Sequence, residues 1–393
     1  MKCEERFFEI YGHGAEDVSF SPYRICPIGA HSDHNLGKIT GLAINKGIHL
    51  AYGPKQNGVI EMMSMQFPKR AQWHIKEVGA KTGDWADYLR GATWALAKTH
   101  TLSVGLCGVI EGSLPIGGLS SSAAVILAFL QALCRVNHIC LSPKELIDTA
   151  YDAEKNYVGV NVGTLDQSCE VLSRKDSLLY LDCADGSYEL VPAPANMKPF
   201  QIAVFFSGLE HALAGSKYNM RVDELRAGVY ALMAFAGLDY GKFSEANARN
   251  VSLETYREYR DRLPVPWAKR CEHWYSEFQR EEAGEEAGEE AGRRGDIEEY
   301  GRLSFESGWS SIHNWESGAP EQIKLYEIMR ETSGIYGGRF SGAGFKGCCM
   351  ALIDPAKVDC IAEEVERKYL SAFPEMRGKY SFHLCEAADG VQL

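Results

Sequence analysis

Between Pro115 and Ala124 the chain reads P-I-G-G-L-S-S-S-A-A, a stretch built for contact with an anion. Gly117 and Gly118 allow a backbone to come close to a ligand, and Ser120, Ser121 and Ser122 place consecutive hydroxyls beside them. The apolar run Val104 to Ile110, with β-branched residues, predicts a strand before the stretch. Val125 to Val136, with Leu127, Leu130 and Leu133 at helical spacing, predicts a helix after it. The serines then fall at a helix start, where free N–H groups and the positive end of the dipole suit phosphate. A capped helix after a glycine turn would use some of the same residues, because serine is a preferred N-cap. Three serines locked between G-L and A-A are a rarer pattern. No lysine follows the glycines, so this is not the G-x-x-x-x-G-K-[ST] phosphate loop.

Two further clusters carry titratable groups. Arg24, His31, Asp33 and His34 fall within eleven residues, on a polar loop that ends at Gly37 before a strand marked by Ile39, Leu42 and Ile44. An exposed turn would have a similar composition. Farther on, Ser142, Pro143 and Glu145 form a capping-box signature for a helix that runs to about Asn156 and carries Glu154 near its end. A glycine-containing segment, Tyr157 to Ser168, follows and holds Asp166, which by itself reads more often as a cap or turn residue.

The elements that must position these groups are legible in outline. Val59 to Phe67 and Trp73 to Val78 predict strands. Asp84 to His100 predicts a helix bearing Trp85, Tyr88, Leu89, Ala92 and Leu96 on related faces. Ser177 to Cys183 predicts a strand, the proline-rich Val191 to Pro199 a domain boundary, and Phe200 to Phe206 the opening strand of a second domain. Met220 to Arg330 is mostly helical in pattern, interrupted at Arg280 to Gly292 by a Glu-rich, Gly-broken four-residue repeat that reads as a solvated insertion. Gly334 to Asp354 reads as a glycine-rich turn leading into a strand. A helix over Ala356 to Tyr369 and a strand over Tyr380 to Cys385 close the chain.

Composition excludes several classes of function. With 393 residues the chain holds two domains with sizeable cores. A net charge of −12 without a large basic block argues against nucleic acid and anionic membrane as partners. Twelve cysteines without a C-x-x-C pair read as reduced thiols in a cytoplasmic protein, not a disulfide framework or zinc site. The charged N-terminus lacks a signal-peptide core, and no apolar stretch approaches the roughly 20 residues of a membrane helix.

Taken in order, the motifs resemble those of the GHMP small-molecule kinases. P-I-G-G-L-S-S-S-A is similar to the family's phosphate motif P-x-G-x-G-L-S-S-S-A, one residue shorter ahead of Gly118. The segment from Arg24 resembles the galactokinase signature G-R-V-N-L-I-G-E-H-T-D-Y-N-x-G, with Arg24, Gly29, His31, Asp33, Asn35 and Gly37 on matching positions. W-A-D-Y-L-R-G resembles W-x-x-Y-V-K-G, Y-V-G-V-N-V-G-T-L-D-Q resembles F-V-G-x-x-x-G-x-x-D-Q, and the segment ending S-K-Y-N-M-R resembles one in which a tyrosine lies near the sugar. R-F-S-G-A-G-F-K-G-C-C is similar to the third family motif, with Lys346 in place of a glycine. Within the family, this motif and S-P-Y-R-I-C-P-I-G-A-H-S-D-H look closest to plant-type galacturonokinase.

The resemblance implies an α+β, two-domain GHMP kinase fold. Residues 1–195 would form a mixed α/β N-terminal domain and 196–393 a ferredoxin-like plus helical C-terminal domain, with the active site between them and the Glu-rich insertion near 280–295. It implies ATP and Mg²⁺, with a small-molecule sugar as the partner of a monomer or homodimer. Asp166 would be the catalytic base with Arg24 beside it, Ser122 and Glu154 would hold the metal, and Gly117, Gly118, Ser120, Ser121 and Ser122 the phosphates. Trp85 and Tyr88 would flank adenine, Ala30, His31, Asp33 and Tyr218 would meet the sugar, and Arg221 would be structural.

The departures point to the substrate. Ala30 stands where galactokinases carry a glutamate near the sugar 6-hydroxyl, and His34 where they carry tyrosine. A carboxylate there would repel a hexuronate, so its removal favours galacturonate, with His31, His34 and Lys346 as candidates to meet the substrate carboxylate. Galactose phosphorylation, and a galactokinase-like sugar sensor without turnover, are the alternatives.

Overall fold

The computed structural model describes residues 2–209, 217–239, 241–286, 295–344 and 347–392. Its first sheet is organised on one long strand, β2 (Lys38–Lys55), which follows β1 (Asp17–Ile25). The sheet runs β4-β3-β5-β2-β6-β7, where β3 is Val59–Ser64, β4 Ala71–His74, β5 Gly105–Gly112, β6 Ser177–Asp182 and β7 Tyr188–Pro192. β1 also pairs with β2, antiparallel, and only the β3–β5 ladder is parallel. β2 is buried along most of its length, which explains its nearly unbroken apolar reading.

Arg24 sits on β1, opposite Ala43 of β2, and not on a loop. The register of β1 shifts between Pro22 and Tyr23. Proline cannot donate to the ladder, and such irregularities turn the strand and re-aim the side chains after them.

Helices cover one face of this sheet. α1 (Lys2–Tyr11) lies apart in a small satellite cluster through Cys3 and Phe7. α2 (Asp87–Leu96) is shorter than the pattern predicts, because Asp87 accepts the backbone N–H groups of Thr82 and Gly83 and fixes the start there. Trp85 therefore precedes the helix. α3 (Ser121–Val136) is buried continuously from Ile126 to Cys134 and forms the centre of the main core. α4 (Pro143–Asp152) has the capping box expected from Ser142 and Glu145. It widens into a π-helical turn, Ala153–Val158, and α5 (Leu165–Leu172) follows.

The second sheet has four antiparallel strands in the order β11-β8-β10-β9: β8 Gln201–Phe206, β9 Ile335–Phe340, β10 Cys348–Ile353 and β11 Ser381–Cys385. β9 occupies part of the stretch that reads as a glycine-rich turn. Taken in chain order these strands stand 4-1-3-2, the ferredoxin-like arrangement. Alternation along β8 divides its side chains. Ala203 and Phe205 pack with α10 (Pro320–Glu331) and α11 (Val358–Ala372), whereas Ile202, Val204 and Phe206 join the main core of the first sheet. A last short strand, β12 (Ala387–Ala388), returns to β2, so the chain end belongs to the first sheet.

The segment between β8 and β9 is helical: α6 (Tyr218–Phe235), α7 (Leu253–Tyr259), α8 (Val265–Glu286) and α9 (Ile297–His313). A third core of Leu225, Leu232, Trp274 and Trp315 holds α6 and α8 together. Lys346 and residues 287–294 of the Glu-rich insertion lie outside the described residues. All twelve cysteines are free thiols. No helix among the described residues is long and apolar enough to cross a membrane.

Candidate active site

Asp166 stands in the first turn of α5 and meets Arg24 across the fold. Arg24 Nε donates to Asp166 Oδ1 at 2.7 Å, and Nη2 lies 2.6 Å from the same oxygen. Arg24 is buried and Asp166 partly open, with side-chain exposures of 3% and 18%. Burial alone would weaken the proton affinity of the guanidinium, but the adjacent Asp166 carboxylate outweighs it, so Arg24 stays a cation.

The π-helical turn carries Glu154 inward to 2% exposure, where Gln167 Nε2 donates to its carboxylate at 2.8 Å. Burial, and then the charge of Asp166, push Glu154 up to about 7, against a weaker lowering pull from the Ser122 hydroxyl. Asp33 opens a 3₁₀ turn and accepts the Leu165 N–H at 3.4 Å. Burial, and again Asp166, raise it to about 6. Glu170, one turn beyond Asp166, is fully buried, and burial pushes it well above the usual carboxylate range.

The glycine loop needs its glycines. Gly118 has φ 87°, and a Cβ there would lie 2.7 Å from Cys348 Sγ and 3.0 Å from the Ser341 carbonyl. The loop packs directly on the second glycine-rich turn, where a Cβ on Gly342 would lie 2.9 Å from the Gly118 carbonyl. Ser120 then enters α3 with φ 63°, a left-handed position rare for serine, and leaves the first turn of α3 facing the cavity.

Arg24, Ala30, His31, Asp33, Trp85, Tyr88, the Gly117–Ser122 loop, Glu154, Asp166 and Tyr218 line one cavity of about 1290 Å³, and His34 and Arg221 are not among its lining. Trp85 and Tyr88 meet it beside Phe67, which the sequence reading missed. Phe67 and Trp85 are parallel, at 3° and 6.2 Å between centroids, and Trp85 Nε1 donates to the Lys69 carbonyl. Ala30, His31, Asp33 and Tyr218 form another part of the wall, with Lys217 and Asn219 next to them.

His31 has φ 66° and stacks on Trp315 at 5.4 Å and 9°. Its Nε2 lies 3.1 Å from the Gly342 carbonyl, which can only accept, so Nε2 carries the proton. Burial holds His31 well below the ordinary imidazole range, so the ring is neutral and its unpartnered Nδ1 is an acceptor.

His34 does not reach the cavity. It stacks on Trp315 at 5.3 Å and meets the edge of Tyr218 at 6.0 Å. Consecutive residues of a 3₁₀ turn point about 120° apart, so Asp33 and His34 cannot share a target. Burial lowers His34 to about 3. Neither imidazole is therefore a cation for a substrate carboxylate. Arg221 has the structural role expected of it, pairing with Glu224 at 2.9 Å and Glu316 at 3.3 Å.

Helix α8 reaches this site and was not foreseen. His273, Trp274 and Glu277 all contact the backbone of residues 29–32. A His and a Glu four residues apart on one helix face was the available signal, but nothing local names its target.

Comparison with known proteins agrees with this architecture. Residues 87–174 match the model for the GHMP kinases N terminal domain, and residues 289–371 the model for GHMP kinases C terminal. The galacturonokinase of Arabidopsis thaliana is 38% identical over 97% of this chain and 94% of its own length. The galactokinase of Roseiflexus sp. is 31% identical over 99% and 96%. Among solved structures, Lactococcus lactis galactokinase complexed with galactose superposes with a TM-score of 0.86 at 28% identity, covering 99% of this chain and 98% of that one. Methanococcus jannaschii mevalonate kinase shares the fold, with a TM-score of 0.65 at 14% identity over 96% and 100%. The chain therefore belongs to the GHMP kinase family, in its galactokinase-like group of ATP-dependent sugar kinases.

Proposed function

We propose that this kinase transfers the γ-phosphoryl group of ATP to the anomeric hydroxyl of galacturonate. The observation that carries the choice of sugar is Ala30. Its methyl group lines the cavity beside His31 and Asp33, so the wall is uncharged where galactokinases carry a glutamate. The greater identity to a galacturonokinase supports the same reading. Lys217 adds positive charge to that wall.

Phosphoryl transfer depends on alignment and charge stabilisation. Asp166 accepts the proton of the anomeric hydroxyl as the oxygen attacks. Arg24, ion-paired to Asp166, offsets charge on the transferring group. The backbone from Gly117 to Ser122 holds the phosphates at the start of α3. Trp85 and Tyr88, with Phe67, receive the adenine, and Asp33 and Tyr218 hold ring hydroxyls.

The donor set around Glu154 suits Mg²⁺. Glu154 and Ser122 are oxygen donors, and no cage of three or more His, Cys, Asp or Glu side chains exists among the described residues, as fits a cation that keeps waters and binds phosphate. When bound, Mg²⁺ neutralises charge on the phosphates.

The test is ADP release with ATP and Mg²⁺ against galacturonate, glucuronate, galactose and glucose. Galacturonate should be preferred. Preference for galactose would make Ala30 a tolerated departure, and turnover of none would favour a sensor.

A further inference from the structure

His31 is a non-glycine residue in left-handed backbone, so contacts on either side of it must hold it there. Those contacts come from one helix more than 230 residues away in the chain. The Gly29 N–H donates to Glu277 Oε2 at 2.8 Å. His273 Nε2 donates to the Ala30 carbonyl at 3.0 Å, and Trp274 Nε1 to the Ser32 carbonyl at 3.3 Å. The three side chains are 0%, 0% and 2% exposed in the order Glu277, His273, Trp274.

The grip is itself braced. Ser307 Oγ, from α9, donates to Glu277 Oε2 at 2.9 Å, and Arg280 Nη2 donates to Oε1 at 2.7 Å. Arg339, from β9 and fully buried, donates to Ser307 Oγ and to Ser311 Oγ. Ser310 Oγ lies 2.9 Å from His273 Nδ1. Because the Ala30 carbonyl can only accept, Nε2 carries the proton and Nδ1 accepts from Ser310, so the tautomer is fixed. Apolar side chains could fill this volume without desolvating a carboxylate and a guanidinium, so filling space does not account for the network.

We propose that Glu277 and His273 are positioning residues for the sugar half of the site. They fix the Gly29–Ser32 backbone so that Ala30 and His31 keep their places in the cavity wall. None of these contacts touches the glycine loop, Trp85 or Tyr88, so the nucleotide does not depend on them. The inference rests on reading the wall around Ala30 as the sugar pocket, and it does not depend on which sugar is used.

The experiment compares wild type with Glu277→Gln and His273→Phe, measuring KM for the sugar the wild type prefers and KM for ATP. The expected result is a rise of tenfold or more in sugar KM for each variant, with ATP KM changed less than twofold. Ser307→Ala, which loosens the brace but leaves every loop contact, should raise sugar KM two- to threefold and keeps the test open if Glu277→Gln does not fold. Equal changes in both KM values, or no change in either, would overturn the proposal. Preference for galactose would overturn the galacturonate reading and leave this one standing. A wild type that turns over none of the four sugars would overturn both.

Discussion

The two halves of the cavity are built in different ways. The half proposed to hold phosphate comes from short contiguous stretches, Gly117 to Ser122 at the start of α3 and Glu154 to Asp166 across the π turn and α5, all within the first sheet and its helices. The half proposed to meet the sugar is assembled from distant pieces: residues 29–34, Tyr218, Trp315 and Gly342 line or back it, and α8 grips it from behind. Phosphate is common to every kinase of this family, and a local motif at a helix start suffices for it. A particular sugar requires walls from several elements, so its recognition is a property of tertiary packing.

Changes to the phosphate side should be the more severe. Asp166→Asn removes the proposed proton acceptor and leaves Arg24 without its carboxylate, so kcat should fall by about 10²–10⁴-fold, with ATP binding within a few-fold of wild type by calorimetry. A variant with near-normal turnover would remove Asp166 as the base.

Glu154 gives a pH signature. Its carboxyl is held up at about 7, and a cation needs the ionised form. The Mg²⁺ concentration for half-maximal turnover should therefore fall as pH rises from about 6 to 8, by at most about tenfold per unit. Glu154→Gln should flatten that dependence, and an unchanged slope would move the metal elsewhere.

The sugar side gives a smaller effect, and it is read in stability. Asp33 is raised to about 6 in the folded protein from an ordinary 3.8, so the folded state binds more protons than the unfolded between those values. Stability of the ligand-free protein should therefore drop as pH rises from about 4 to 6 and stay lowered above that, by on the order of 2–3 kcal/mol from this group. Asp33→Asn should melt a few degrees higher than wild type at pH 8, where wild type carries the buried charge, while losing sugar turnover. A lower melting temperature at pH 8 would mean that Asp33 is structural.

The same division decides what the sequence could reveal. The glycine–serine loop, the capping box at Ser142 and the strand that opens near Phe200 are encoded by neighbours in the chain, and the structure has them where they were expected. Pro22 made β1 look like a loop, because proline weakens a strand signal even where the register shifts to accommodate it. Trp85 looked helical because Asp87, whose side chain starts α2, is apparent only from its hydrogen bonds. His34 looked like a substrate ligand from its place beside Asp33, but the 3₁₀ turn sends it behind Tyr218. His273 and Glu277 were visible as residues of a helix and silent about their target, since contacts across 240 residues leave no local pattern.

The central claim is that an uncharged wall at Ala30 selects a hexuronate. The direct test is the ratio of kcat/KM for galacturonate to that for galactose, measured for wild type and for Ala30→Glu. The wild-type ratio should stand well above one and fall at least about tenfold in the variant, as a carboxylate is placed near that of the substrate. A ratio that favours galactose in wild type, or that Ala30→Glu leaves unchanged, would contradict it.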